Sequence, residues 1–262
     1  TVEKEETEKL ALLEEHLKNQ IYGQDEAVEQ VANAVKFSRA GLNEEDKPVA
    51  SFLFVGPTGV GKTELSKALA KELGVSFIRF DMSEYAQKHT VAKLIGAPAG
   101  YVGYEEGGIL TEEIRRHPHG VLLLDEIEKA HPDIFNVLLQ VMDYATLSDN
   151  QGRKADFRNI ILIMTSNAGA SQIGKGRIGF GGEAINMDAL DGAVKRTFQP
   201  EFRNRLSRVI MFKGMDEEMA GLITAKKLLQ LSDRLSDRKV KLEVTKEAAD
   251  HVKRTGITRE YG

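Results

Sequence analysis

The chain has 262 residues, of which 41% are hydrophobic and 29% are charged, and its formal net charge is −4. This much apolar surface can build a core, so the composition excludes disorder as the main state. The chain has no cysteine, which excludes disulfides and cysteine-based zinc sites. The acidic balance argues against nucleic acid and anionic membrane surfaces as main partners.

The terminus and the apolar runs bear on the compartment. The chain starts with polar and acidic residues, and no secretory signal is visible. The longest apolar runs are four to five residues, far below the ~18 residues that a membrane span needs. We therefore expect a cytoplasmic protein that has no membrane partner.

Helical patterns cover the first twenty residues and residues 24–39, and a polar connector follows them. Short apolar runs then alternate with helical patterns such as Glu64–Leu73 and Pro132–Asp143. Nearly continuous apolar runs suit strands that are buried on both faces. The alternation predicts an α/β fold with a mainly parallel sheet core flanked by helices. The predicted strands are Phe52–Val55, Phe77–Phe80, Val121–Leu124, Ile160–Met164 and Val209–Phe212.

The pattern changes towards the C-terminus. Residues 169–187 are rich in glycine and predict a long exposed loop. Residues 216–236 predict one long helix, residues 240–244 a short strand, and a further helix capped by Thr245 stops near Gly256. At about 150 residues per domain, the length fits one large domain and a smaller one. We expect a large domain over residues 1–212 and a smaller, truncated α+β domain over residues 213–262.

A glycine-rich segment follows the first predicted strand and precedes a helical pattern. Its glycines let backbone N–H groups curl around phosphate oxygens, and the helix directs its positive dipole end at them. Its lysine should reach the β- and γ-phosphates, and its final threonine should ligate Mg²⁺. The segment consists of Gly56, Pro57, Thr58, Gly59, Val60, Gly61, Lys62 and Thr63.

Two carboxylates, Asp125 and Glu126, follow the third predicted strand at the end where open α/β sheets bind ligands. We expect Asp125 to hold Mg²⁺ and Glu126 to polarise a water that attacks the γ-phosphate. A base directed at water indicates hydrolysis rather than transfer to a small acceptor. No guanine-reading Asn-Lys-x-Asp segment is visible, so ATP is the expected nucleotide.

Asn167 follows the next strand and could touch the γ-phosphate or the attacking water, although a simple turn residue is the alternative. These three motifs, in this order, resemble AAA+ ATPases. The segments His89–Tyr104, Leu123–Asp133, Asn150–Asn159 and Pro200–Leu206 narrow the resemblance to the second ATPase module of Clp-family protein unfoldases. It runs from about residue 12 to the end of the chain, and the second sensor arginine of the family would lie beyond Gly262.

The resemblance implies roles for matched positions. Ile21, Tyr22 and Gly23 would pack around adenine, and Asn167 would read the γ-phosphate. Arg205 would be an arginine finger that completes a neighbouring subunit's site in a homo-hexameric ring, although Arg203 stays open as the alternative. The substrate-gripping pore loop would contain Gly100, Tyr101, Val102 and Gly103. The role of Tyr104, as gripping residue or local anchor, is undecided.

Ile178, Gly179 and Phe180 lie between glycine-rich arms and resemble the loop by which some Clp unfoldases dock on a Clp-type peptidase. His117 and His119 could suggest a metal, but a solvated turn is favoured because no other ligand spacing lies nearby.

The sequence as a whole predicts an ATP- and Mg²⁺-dependent unfoldase that threads unfolded or tagged proteins into a peptidase. The alternatives are a disaggregase without a peptidase, a nucleotide-switched binding module and a nucleic-acid remodelling AAA+ protein. Glu126 counts against the binding module, and the acidic balance counts against the nucleic-acid partner.

Overall fold

The computed structural model describes residues 2–170 and 182–256. Its helices are α1 (Val2–Gln20), α2 (Asp25–Arg39), α3 (Lys62–Leu73), α4 (Lys88–Ile95), α5 (Ile109–Arg116), α6 (Pro132–Tyr144), α7 (Gly182–Thr197), α8 (Pro200–Arg203), α9 (Glu217–Ser236) and α10 (Lys246–Gly256). Its strands are β1 (Ala50–Val55), β2 (Ser76–Asp81), β3 (Gly120–Asp125), β4 (Thr146–Ser148), β5 (Lys154–Asp156), β6 (Ile160–Ser166) and β7 (Arg208–Met211).

Five strands form one sheet in the order β2-β3-β6-β1-β7, and every neighbouring pair in it is parallel. The central strands β1, β3 and β6 are buried along their whole length, as continuous apolar runs predict. All five predicted strands are confirmed, each within two residues at either end. Because the sheet is parallel, the carboxyl ends of β1, β3 and β6 meet at one edge.

Helices cover both faces of the sheet. Successive side chains of a strand point to opposite faces, so Phe52 and Phe54 join the core formed with α1, α2 and α3. Leu53 and Val55 join the core on the other face, which includes side chains of α5, α6 and α7. The sheet is therefore the middle layer of a three-layer α/β structure.

Two sequence predictions differ from the structure. Residues 240–244 form no strand, because no described segment offers them a pairing partner, and Val240 and Val244 are exposed. The loop predicted for residues 169–187 is too long, since α7 starts at Gly182. The described part of the chain after β7 is helical, and α10 begins after Thr245, whose hydroxyl accepts a hydrogen bond from Ala248 N.

The sequence interpretation missed the antiparallel hairpin of β4 and β5, whose strands have three residues each. No helix among the described residues is both long and apolar enough to cross a membrane.

Candidate active site

A cavity of about 490 Å³ opens at the carboxyl edge of the sheet. Residues of the glycine-rich segment, the ends of β2, β3 and β6, the link between α1 and α2, and one face of α9 all contribute to its wall. The lining residues are Gln20, Ile21, Tyr22, Thr58, Gly59, Val60, Gly61, Lys62, Thr63, Glu64, Arg79, Asp81, Asp125, Glu126, Thr165, Ser166, Asn167, Ile223, Lys226, Lys227 and Gln230. The cavity thus collects side chains that the sequence assigned to nucleotide binding and hydrolysis.

The glycine-rich segment connects β1 to α3 and carries Lys62 at the first position of that helix. Gly61, just before it, has φ 115°, a backbone conformation that other residues rarely adopt. The Lys62 amine donates hydrogen bonds to the carbonyl oxygens of Gly56, Pro57 (2.9 Å) and Ser166 (3.4 Å). Among the described residues, no carboxylate oxygen lies within 4.0 Å of this amine.

Lys62 is therefore a half-buried cation whose partners among the described residues are carbonyl oxygens. Burial lowers the pKa of Lys62 to about 8, although the carboxylates of Glu128, Asp125 and Glu126 oppose that shift. An anionic group that enters the cavity would satisfy this amine. The residues present fit a phosphate.

Asp125 is buried at the end of β3 and is held by two partners. Its Oδ1 accepts a hydrogen bond from Thr165 Oγ1 at 2.6 Å, and its Oδ2 lies 2.5 Å from Nη2 of Arg79. Thr165 Oγ1 also accepts a hydrogen bond from the backbone N of Glu126 at 3.2 Å. The carboxylate of Asp125 and the hydroxyl of Thr63 are the hard oxygen donors that Mg²⁺ prefers.

Glu126 adopts a left-handed backbone conformation, with φ 54°, between β3 and a 3₁₀ turn at Ile127–Lys129. Non-glycine residues rarely adopt this conformation, and such strain concentrates at functional sites. The Oε2 atom of Glu126 lies 2.8 Å from Nζ of Lys129, and this hydrogen bond raises the pKa of Lys129. The carboxylate lines the cavity but is paired with a neighbouring cation.

The end of β6 connects these parts. The carbonyl oxygen of Ser166 accepts hydrogen bonds from Gly56 N and from the Lys62 amine. The backbone N of Asn167 donates to Oε1 of Glu128 at 3.4 Å. The other oxygen of Glu128 is buried and has no hydrogen-bond partner among the described residues. A movement at Asn167 would therefore reach both the glycine-rich segment and the carboxylate segment.

The link between α1 and α2 forms the other wall of the cavity. Ile21 is buried, and the ring of Tyr22 lies 5.6 Å below the Lys226 amine of α9. That amine also donates to the carbonyl oxygen of Gln20 at 2.9 Å. Gly23 does not line the cavity, and the side chain of Met219 fills the space beside it. The helix after β7 thus closes over the residues expected to hold adenine.

Comparison with known proteins identifies the family. The model of the AAA domain (Cdc48 subfamily) matches residues 47–209, which is more than half of the chain. The chain belongs to the AAA domain family. A second model, the C-terminal D2-small domain of ClpB protein, matches residues 215–262.

Relatives agree with this assignment. The chain is 53% identical over 261 residues to a ClpA homolog protein of Fuscovulum blasticum, covering 100% of the chain and 33% of the relative. It is 50% identical over 260 residues to chaperone protein ClpB of Vibrio cholerae (98% and 30%). It is 48% identical over 267 residues to the negative regulator of genetic competence ClpC/MecB of Bacillus subtilis (98% and 33%). The chain spans about a third of the length of these curated relatives.

These matches confirm the resemblance to Clp-family AAA+ proteins and the predicted α/β fold class. As a member of this family, the chain carries a nucleotide-binding AAA ATPase domain. The cavity lies at the carboxyl edge of the sheet, where open α/β sheets bind ligands, and the glycine-rich segment forms part of its wall.

Neither Arg203 nor Arg205 lines the cavity at the carboxyl edge of the sheet. Arg205 lies between α8 and β7, and its Nε is 2.9 and 2.8 Å from the two carboxylate oxygens of Asp143. This hydrogen bond raises the pKa of Arg205. Nε of Arg203 donates to the carbonyl oxygen of Phe198 at 3.0 Å. Within one chain, the structure brings neither arginine to the phosphate region.

The expected pore loop follows α4. Tyr101 is 71% exposed and Val102 is fully exposed, whereas Tyr104 is half-buried. The carbonyl oxygen of Tyr104 accepts hydrogen bonds from Asn150 and Gln151, so this residue anchors the loop through its backbone. Ile178, Gly179 and Phe180 lie outside the described residues.

Sequence reasoning missed several residues of the site. Arg79 carried a signal, because it is the one charged residue in the apolar run Phe77–Phe80. Glu128 lies within the segment Leu123–Asp133 and Thr165 directly follows the predicted strand Ile160–Met164, but their hydrogen bonds cross about forty residues of sequence and could not be predicted from spacing. Lys226 lies on a helix that gave no sign of its approach to Tyr22. His117 caps α5 and its Nδ1 lies 3.2 Å from Ser76 Oγ, in an exposed position.

Proposed function

We propose that this chain is the ATP-hydrolysing module of a protein unfoldase that pulls polypeptides through the pore of a homo-hexameric ring. The main support for the proposal is that the same chain has a cavity at the carboxyl edge of the sheet and a loop that exposes an aromatic side chain. The cavity holds Lys62, Asp125 and Glu126, and the loop presents Tyr101 and Val102 to solvent. We divide the chain into a nucleotide-binding domain over residues 1–212 and a small domain over residues 213–262, and place the protein in the cytoplasm.

Nucleotide binding follows from the groups around the cavity. The Lys62 amine would exchange carbonyl partners for β- and γ-phosphate oxygens, and backbone N–H groups of residues 56–61 would bind the remaining oxygens. Ile21 and Tyr22 would hold adenine against α9, and Gly23 would let the link between α1 and α2 pack against Met219. Thr63 and Asp125 would hold Mg²⁺, which neutralises phosphate charge when it is bound.

Hydrolysis requires a carboxylate that is free to polarise water. Glu126 stands at the cavity wall, where its carboxylate can turn from Lys129 towards the γ-phosphate region. Asn167 sits beside it, with its side chain available to the γ-phosphate or to the attacking water. Asp125 stays in place through Thr165, whose hydroxyl also fixes the backbone of Glu126.

In a ring, a neighbouring subunit would supply Arg205 as a further cation beside the γ-phosphate. Since Arg205 lies away from its own chain's cavity, it can act on a nucleotide only at the site of another copy. A guanidinium that approaches the γ-phosphate in this way stabilises the charge of the transition state. We assign this role to Arg205 because it is the position that the Clp-family resemblance matches, and Arg203 remains the alternative, since Nε of each arginine already has a hydrogen-bond partner.

The finer question is where the unfolded chain goes. We propose delivery into a Clp-type peptidase, because Ile178, Gly179 and Phe180 form an apolar tripeptide between glycine-rich arms. The other candidate is a disaggregase without a peptidase. The identity of about 50% to a chaperone named ClpB supports this candidate. The two candidates share the ATPase and the gripping loop and differ in the peptidase partner.

One experiment tests both levels of the proposal. The full-length protein is mixed with a stably folded fluorescent substrate that carries a degradation tag, with ATP or with a non-hydrolysable analogue. We expect unfolding with ATP alone, and the absence of any ATP-dependent unfolding would contradict the proposal. A Clp-type peptidase is then added, with Phe180→Ala and Phe37→Ala as variants.

The two variants have different expected effects. Burial of one phenylalanine is worth ~1.5–3 kcal/mol, and several subunits of a ring would dock together, so Phe180→Ala should abolish peptidase binding. Phe37 is an exposed phenylalanine of α2, so Phe37→Ala controls for the loss of an exposed aromatic group. Peptidase affinity that is unchanged in Phe180→Ala would favour the disaggregase.

A further inference from the structure

The loop that carries Tyr101 is held at both ends by one side chain. We call residues 97–104 the Tyr101 loop. Asn150, in the turn between β4 and β5, donates from Nδ2 to the carbonyl oxygen of Ala97 at 2.6 Å and to that of Tyr104 at 2.9 Å. These two carbonyls are the first and last of the loop. The side chain therefore closes the base of the loop as a clamp.

The neighbours of Asn150 restrict both the orientation and the size of its side chain. Both partners of Asn150 are carbonyl oxygens, which accept and never donate, so the amide must present its NH₂ group to them. Its Oδ1 is buried and has no hydrogen-bond partner among the described residues. Gly96 lies directly against it, because an added Cβ would stand 2.3 Å from Asn150 Oδ1. The contact is thus built around a glycine and an asparagine amide.

The turn that carries Asn150 is itself braced. Asp149 has a fully buried side chain, which accepts hydrogen bonds from the backbone N of Gln151 and Arg153 and from Arg153 Nε, each at 2.9 Å. Burial would raise the pKa of Asp149, but these hydrogen bonds from Arg153 and Gln151 hold it below its usual value. Gln151 adds a second connection, from Nε2 to the carbonyl oxygen of Tyr104 at 3.1 Å and to that of Glu105, the residue after the loop, at 2.7 Å.

The braced turn is also continuous with the nucleotide cavity on both sides. Towards the N-terminus, β4 follows α6, which starts six residues after Glu126. Towards the C-terminus, β5 leads through buried Phe157 into β6, which ends at the cavity beside Asn167. Both routes run through hydrogen-bonded elements, of which β6 is buried along its whole length, so the turn can follow changes at the cavity.

We propose that Asn150 is a positioning residue that fixes the Tyr101 loop to the β4–β5 turn, so that changes at the nucleotide cavity displace Tyr101. The inference rests on the proposed unfoldase function, and it assigns the mechanical connection within one subunit. Asn150 does not line the cavity.

The test uses an isosteric change in the full-length protein. Asn150→Asp keeps the size of the side chain but replaces the NH₂ donor by a second acceptor, which faces two carbonyl oxygens and cannot bond to them. Asn150→Ala removes the clamp without adding charge. Asn159→Asp is the matched control, since Asn159 is exposed and its side chain makes no hydrogen bond to the described residues.

Three quantities are measured for each variant: ATPase rate, unfolding of a stable substrate, and hydrogen exchange of peptides that cover residues 96–108. In both Asn150 variants we expect loop exchange to rise by about tenfold or more and unfolding to fall by about tenfold, because a loosened loop no longer holds its working geometry. ATPase rate should stay within about threefold, since no cavity residue changes. Asn159→Asp should match the wild type in all three.

Two results would overturn the inference. Unchanged exchange of the loop peptides in both Asn150 variants would show that the clamp does not hold the loop. A parallel fall in ATPase rate and unfolding would show damage to the cavity instead of lost coupling. A wild-type protein that unfolds no substrate would count against the proposed function, whereas the exchange measurement would still report on the clamp.

Discussion

Arg205 and Asp143 form a close ion pair in which Nε of the arginine contacts both oxygens of the aspartate. Nη1 of Arg205 donates to the carbonyl oxygen of Glu201 at 2.9 Å, while Nη2 has the more distant Glu201 carboxylate at 3.5 Å. The guanidinium is thus held along one edge, and Nη2 is its least committed donor. This arrangement would fix the direction in which a neighbouring subunit meets the arginine.

Changing Asp143 should therefore weaken hydrolysis without touching nucleotide binding. We expect Arg205→Ala to lower ring ATPase by about 10³-fold, the scale of arginine-finger loss. Asp143→Asn should lower the ring ATPase rate by up to about 10²-fold, because the Arg205 guanidinium is kept but no longer held in position. ATP affinity and ATPase rate of both variants are the measurements. Arg203→Ala is the comparison, and the assignment fails if Arg203→Ala abolishes turnover while Arg205→Ala preserves it.

Mixed rings test whether Arg205 acts on another subunit. Arg205→Ala subunits keep an intact Glu126, and Glu126→Gln subunits keep an intact Arg205. At some interfaces of a mixed ring both intact groups face one nucleotide, so mixing should restore part of the ATPase rate. Subunit exchange is verified by fluorescence transfer. Proven exchange with no gain in rate would exclude action between subunits.

The low pKa of Lys62, about 8, predicts a pH dependence of nucleotide binding. The protonated amine attracts phosphate, so ATP affinity should fall as pH rises through 8, by up to about tenfold per pH unit. Calorimetry from about pH 7 to about pH 9.5 measures it. Lys62→Arg, which keeps its charge in this range, should bind with little pH dependence. A flat wild-type profile would contradict the role of this amine.

The same shift affects stability with the opposite sign. Between pH 8 and 10.5 the unfolded chain binds more protons at Lys62 than the folded chain does. This group alone therefore makes the free energy of unfolding rise with pH in that window.

Glu126→Gln should trap ATP. The variant loses the carboxylate that polarises water, while Lys62 and Asp125 keep their partners. Hydrolysis should fall by about 10²-fold or more, the scale of general-base loss, with ATP affinity retained. Single-turnover rates and binding constants measure the two effects separately. An equal loss of affinity and turnover would mean that Glu126 is structural.

Much of the fold and of the cavity could be predicted from the sequence, because the patterns that indicate them are local in the chain. Short apolar runs located all five sheet strands, and a parallel sheet then brings Lys62, Asp125 and Asn167 to one edge. The glycine-rich segment was readable because both flanking elements were recognisable.

Other features depend on contacts between distant residues. The β4–β5 hairpin has strands too short to show a periodicity, and the buried Asp149, paired with the half-buried Arg153, stabilises its turn. The Arg205–Asp143 pair spans 62 residues. Residues 240–244 show the reverse error, because an alternating pattern alone does not make a strand without a partner.

The most direct test separates ATP hydrolysis from the unfolding of substrate. Tyr101→Ala removes the exposed ring of the Tyr101 loop and leaves every cavity residue in place. In the full-length ring, ATPase rate and unfolding of a stable substrate are measured together, with Phe37→Ala as the exposed-aromatic control. We predict that Tyr101→Ala hydrolyses ATP at close to the wild-type rate while its unfolding rate falls by about tenfold or more. Unfolding at the wild-type rate by Tyr101→Ala would contradict it.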